Sequence, residues 1–150
     1  MVNDMKNKGK IANELFHSGY NCAQSVAVAF ADEIALDKEL VAQLTIGFGG
    51  GIGRMREVCG AVCGMAFVIS ALYKDDKGSI YQRIQEVAEE FRAENGSIVC
   101  RELLGLDIKG ADSPVPQQRT TEYYKKRPCA ELVTQAAEIL EKYINNHPFK

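Results

Sequence analysis

Five cysteines carry the chemical interest of this 150-residue chain: Cys22, Cys59, Cys63, Cys100 and Cys129. A cysteine is a nucleophile or a metal ligand as its thiolate, so its surroundings decide whether it reacts near neutral pH. Cys22 follows Asn21, a good helix N-cap, and Cys100 lies three residues after Ser97. Cys129 follows Pro128, and Cys59 opens a long apolar segment. Four of the five are therefore expected at helix N-termini, where free N–H groups and the macrodipole favour negative charge. Such a position lowers a thiol pKa from about 8.5 toward neutrality. Cys63 comes one helical turn after Cys59, on the same face, so their sulfurs can approach each other. This pattern points to thiol–disulfide or electron-transfer chemistry. Cys59 is the expected attacking or electron-accepting thiol, resolved by Cys63, Cys22, Cys100 or Cys129 through a mixed disulfide.

Two other uses of the same sulfurs stay open. Cys22, Cys59, Cys100 and Cys129 come from four separate helices, and helix bundles build metal sites from facing helices. An iron–sulfur cluster or zinc is then the alternative cofactor, although no C-x-x-C pair occurs and the spacing matches neither a zinc ribbon nor a ferredoxin. Cysteine also packs as a small hydrophobe, which would make the chain a small-ligand or partner-binding bundle with structural thiols. No nucleophilic triad or phosphate-transfer motif names a substrate, so enzyme status, redox partner and substrate are left unassigned.

The lead-in to Cys59, "GFGGGIGRMREVCGAVCG", adds glycines and two arginines. A dinucleotide loop joins a strand to a helix within a βαβ unit, whereas the preceding "ELVAQLTIGF" reads as helix. The weaker expectation is that Arg54 and Arg56, with backbone amides, hold an anion or stabilise the Cys59 thiolate. Gly60 and Gly64 are expected to let another helix approach closely, since a helical glycine costs about 1 kcal/mol against alanine. The basic-aromatic run "YYKKRP", Tyr123 to Pro128, stands where its charge can act on Cys129. His17 and His147 read as helix-end and tail residues.

These residues must be positioned by helices. Apolar spacing places helices at about 4–17, from Cys22 through "CAQSVAVAFADEIA", at "KELVAQLTIGF" capped by Asp37, and at about 57–74. The last of these is apolar nearly all round and should be the central helix. "SIYQRIQEVAEEFRAE" forms a charged amphipathic helix, Ser97 caps "IVCRELLG", and Pro128 opens "PCAELVTQAAEILEKYI" at a first helical position. Residues 105–127 lack clear periodicity and suit a cover for a site. The expected architecture is all-α, one compact domain over 1–150 with about six to seven helices.

Composition narrows the classes further. Net charge is −2 and the hydrophobic share is 46%, which fits a folded globular chain. An acidic chain without a basic face offers nothing to nucleic acid. The longest apolar run, Val58 to Tyr73, falls short of the roughly 20 residues a membrane span needs. No signal-peptide core follows the N-terminal lysines. An odd number of cysteines without an export signal suits a reducing, cytoplasmic setting. A homo-oligomer stays open.

Cys22, then "EVCGAVCG", then "IVCRELLG" and "RPCAELV", resembles the redox-active family named for its spaced cysteines, C_GCAxxG_C_C. The resemblance runs from about residue 19 to 143 and includes "C..LLG.D", Cys100 to Asp107. A literal G-C-A-x-x-G is absent. "CGAVCG" keeps the alanine and the final glycine, making Cys59 the counterpart of the central cysteine and Cys63 an addition. The resemblance implies that Cys22, Cys59, Cys100 and Cys129 act as a set in redox chemistry, with no substrate named.

Overall fold

The computed structural model describes residues 7–149, with the side chains of residues 125 and 126 left aside. Among the described residues it contains eight α-helices and no strand, so the fold is all-α with one or two helices more than expected. They are α1 (Lys8–His17), α2 (Cys22–Ala29), α3 (Lys38–Thr45), α4 (Gly60–Tyr73), α5 (Lys77–Asn95), α6 (Cys100–Leu103), α7 (Thr121–Lys126) and α8 (Cys129–Asn146). The added one is α7. It is too short to show periodicity, and it is capped by the Thr120 hydroxyl, which accepts from the Tyr123 N–H at 3.2 Å.

Several boundaries move for identifiable reasons. The first helix begins at Lys8; the expected start at residue 4 lies outside the described residues. The α2 helix stops at Ala29, well short of its apolar pattern, and α4 starts at Gly60 rather than near Glu57. A single antiparallel bridge, Val58 to Val99, keeps both chains extended up to their cysteines. Cys59 N–H donates to Ile98 O at 2.8 Å and Cys100 N–H to Glu57 O at 2.6 Å. For the same reason Val99, not Ser97, is the N-cap of α6, while the Ser97 hydroxyl accepts from the Val99 N–H at 2.9 Å. Pro128 is the N-cap of α8, one position earlier than expected.

The caps on Asn21 and Asp37 form as their sequences indicate. Asn21 makes a reciprocal capping box with Gln24, and the Asp37 carboxylate accepts from the Leu40 N–H. The α4 helix is the core. Its Ala61, Met65, Val68 and Ile69 are fully buried, against Val26 of α2, Phe91 of α5 and Val133 and Leu140 of α8. The α1 helix packs on α8 and α2, and α2 on α4. A Cβ on Gly64 would stand 2.9 Å from Ala23 O and from Val26 Cβ, and one on Gly60 3.1 Å from Cys22 Cβ. These two glycines bring the N-terminus of α4 against that of α2, which sets Cys59 beside Cys22.

Candidate functional site

Each of four cysteines stands at the N-terminus of a helix. Cys22, Cys100 and Cys129 are the first residues of α2, α6 and α8, and Cys59 is the N-cap of α4. The four helix ends converge on one cavity of about 380 Å³, and all four cysteines line it. Cys59, Cys100 and Cys129 are buried, Cys22 is half-buried, and all five cysteines are free thiols. Cys63 is separate. It is on the same helical face as Cys59, yet its thiol donates to Val58 O at 3.8 Å and takes no part in the cavity wall.

Position at a helix end does not make these thiols alike. Burial pushes Cys59 up to about 12, against the opposing pull of the Ala61 and Val62 N–H groups. Burial likewise raises Cys63 to about 11 and raises Cys100, even though the Arg56 guanidinium lies 3.7 Å from the Cys100 sulfur. Cys129 goes the other way, down to about 7. The Cys22 thiol donates to it, which outweighs the cost of burial, and the Arg127 charge and the Tyr123 hydroxyl add to the effect. Cys22 is correspondingly raised, first by the bond it gives to Cys129 and then by burial. At Cys59 desolvation exceeds the helix-end effect and holds the thiol up, whereas Cys129 is held down.

The glycine segment turns out to be a left-handed turn. Gly50, Gly51, Ile52, Gly53, Arg54 and Arg56 all have positive φ, from 57° to 72°. Backbone bonds from Gly53 N–H to Gly47 O (2.8 Å), Arg56 to Gly50 (3.1 Å) and Glu57 to Gly51 (2.9 Å) close it. Non-glycine residues in this region each cost roughly 1–2 kcal/mol, so Ile52, Arg54 and Arg56 need external support. Asp112 supplies it for the arginines. One oxygen of its carboxylate accepts from Arg56 Nη2 at 2.9 Å, Arg56 Nε at 3.1 Å and Arg54 Nη2 at 3.1 Å. Arg56 hydrogen bonding, then the Ser113 N–H, holds the Asp112 carboxyl below its usual range. Arg54 also donates to Val115 O. The segment after α6 is thereby fastened across the cavity, where Pro114, Pro116 and Arg119 form part of the wall.

Arg54 and Arg56 thus reach the cavity, with Arg56 directed at Cys100 rather than Cys59. Asp112 and Arg119 are the residues of the site that the sequence pattern does not mark. Asp112 is a lone acid in an aperiodic stretch. Arg119 donates to Phe16 O and Tyr20 O, about 100 residues away in sequence. Neither leaves a local signal. Among the described residues, no three His, Cys, Asp or Glu side chains stand together as a metal-holding set. Also among the described residues, no helix is long and apolar enough to cross a membrane.

The chain is 27% identical over 141 residues to an "Uncharacterized protein" of Archaeoglobus fulgidus, covering 84% of this chain and 85% of the relative. No solved structure matches it. The sequence pattern of the family described as "Putative redox-active protein (C_GCAxxG_C_C)" spans residues 20–143, all five cysteines and the glycine turn included, and the chain belongs to that family.

Proposed function

We propose that the protein is a dithiol redox protein in which Cys129 attacks and Cys22 resolves. The observation that carries this is the pairing of the two thiols on the cavity wall, with the Cys129 thiol lowered by the donor beside it. The attacking role thus moves from Cys59, which burial keeps protonated. The Cys129 thiolate attacks one sulfur of a substrate disulfide, forms a mixed disulfide and expels the other half as a thiolate. Its negative charge is then gone, and that charge helped hold the proton on Cys22. The Cys22 thiol passes its proton to the expelled thiolate, and its sulfur attacks the Cys129 sulfur. The second thiolate leaves, and a Cys22–Cys129 disulfide remains. Two cysteines are oxidised by two electrons and one disulfide is reduced to two thiols; a dithiol reductant runs the steps backward.

Five free thiols suit a reducing compartment, and we place the protein in the cytoplasm on that ground. The test is intact mass of protein purified without oxygen, measured before and after mild oxidation. The expected result is a bare mass that reversibly loses two hydrogens, with peptide mapping placing the bond between Cys22 and Cys129. A stoichiometric excess of iron, sulfide or zinc would turn the same sulfurs into metal ligands and overturn the dithiol proposal. A mass that never changes would return them to the core.

A further inference from the structure

The cavity that holds the thiols has a charge pattern at odds with the chain as a whole. Four arginines, Arg54, Arg56, Arg119 and Arg127, line it, and no Asp or Glu does. Yet the chain carries a net charge of −2. Arg54 and Arg56 are compensated from behind by Asp112. Arg119 and Arg127 are in no ion pair among the described residues. Arg119 bonds only main-chain oxygens and lies over the Phe16 ring, its guanidinium carbon 4.0 Å from the centroid. Arg127 donates to the Gln117 side chain at 2.8 Å. Two cations without a carboxylate partner thus line a largely apolar cavity, and Arg127 stands two residues from Cys129. The remaining wall is apolar, with Phe16, Ile46, Leu103 and Leu132 among its residues.

Access is equally telling. Cys129 is 7% exposed, and the segment across the cavity is tied to the glycine turn at Asp112 and Val115. So recessed a sulfur favours a small disulfide over one carried on a folded protein, and about 380 Å³ is within the range of small-ligand sites.

We infer that the site takes a low-molecular-weight disulfide bearing carboxylate or phosphate groups, its anionic end held by Arg127 and Arg119 and its sulfurs presented to Cys129. This rests on the dithiol proposal above and names its substrate class. The exchange step is the one already balanced. What the arginines add is attraction for the anion and compensation for the thiolate expelled beside them.

The experiment compares three aliphatic disulfides of similar size: dithiodipropionate, which is dianionic, bis(hydroxyethyl) disulfide, which is neutral, and cystamine, which is dicationic. The rate of mixed-disulfide formation at Cys129 is followed by mass spectrometry in the wild type and in Arg127→Gln. A cleft lined by one sign of charge raises encounter with the opposite sign by 10-fold or more. With each rate divided by that of the same disulfide with a free small thiol, which cancels leaving-group differences, we expect dithiodipropionate to react about tenfold faster than the neutral compound and cystamine slower than both. Arg127→Gln also weakens the Cys129 thiolate, but that slows all three reagents alike. The ratio of anionic to neutral rates isolates binding, and it should fall several-fold. Equal normalised rates for the three disulfides in wild type would overturn the anion site and leave the dithiol proposal standing. No reaction at Cys129 with any of them would overturn the dithiol proposal itself. The anion site is then judged by calorimetric binding of dithiodipropionate to Cys129→Ser. Binding weakened by Arg127→Gln would uphold it, and absence of binding would end it.

Discussion

Removing the thiol of Cys22 should disarm Cys129 without touching it. Cys129 is lowered from an ordinary 9.0 to about 7, and the largest cause is the Cys22 donor. A difference of that size corresponds to about 3 kcal/mol between the two protonation states. It raises the thiolate fraction at neutral pH from roughly one in a hundred to roughly one half. In Cys22→Ala the burial of Cys129 stays and its main donor goes, leaving Arg127 and Tyr123 to oppose desolvation. The midpoint should climb by about one to two units, and alkylation of Cys129 at neutral pH should slow by roughly tenfold or more. Cys22→Ser keeps a hydroxyl donor and should fall between the two. The assay is iodoacetamide alkylation of Cys129 followed by peptide mass spectrometry across the neutral range. The sign carries over to stability. Because the folded pKa of Cys129 lies below the ordinary value, its contribution is full above 9.0 and is lost as pH falls through about 7. Thermal stability should rise over that window in wild type and flatten in Cys22→Ala. An unchanged alkylation midpoint in Cys22→Ala would refute the claim that one thiol tunes the other.

Three further outcomes follow from the same geometry. Cys59, raised to about 12, should resist alkylation below pH 9 until the protein is denatured, and Cys59→Ala should leave the Cys129 alkylation midpoint close to that of wild type; rapid native labelling of Cys59 would contradict this. Gly64→Ala puts a Cβ 2.9 Å from the Ala23 carbonyl, and overpacking of about 1–3 kcal/mol should exceed the gain of about 1 kcal/mol in helix propensity. The melting temperature should drop by a few degrees, and an increase would argue against close α2–α4 contact. Asp112→Asn should loosen the segment over the cavity, making residues near Pro114 and Pro116 more open to limited proteolysis. Because Arg56 holds the Asp112 carboxyl below its usual 3.8, acid should loosen the wild-type segment only as pH falls through that lowered value.

The fold was legible wherever local chemistry decides it. Asn21 and Asp37 cap the helices their spacing announced, and Gly60 and Gly64 pack α4 onto α2 as their cost in a helix implied. Failures fall where a distant partner overrules the local pattern. Val58 reads as part of a helix until Val99 pairs with it. The turn before Cys59 reads as a glycine loop, whereas Asp112, more than fifty residues away, is what holds Arg54 and Arg56 in left-handed backbone. Neither pairing has a signature in a single sequence.

The cysteines show the same division more sharply. That four of them would stand at helix N-termini follows from short-range signals, and all four do. Which of them is poised does not follow, because the helix end is common to all and cannot discriminate. Cys59 and Cys129 share the dipole effect, worth up to about 2 kcal/mol in partly buried geometry. Cys59 nevertheless rises to about 12 while Cys129 falls to about 7. The difference lies in what faces each sulfur. Cys59 has two backbone N–H groups and apolar surroundings. Cys129 has a thiol donor, a phenol and an arginine, drawn from α2, α7 and the residue that caps the end of α7. Tyr123 and Arg127 both lie in "YYKKRP", the segment whose charge was placed near Cys129 from its position alone. Short-range sequence therefore gives the scaffold for four thiolates, and long-range packing selects one of them.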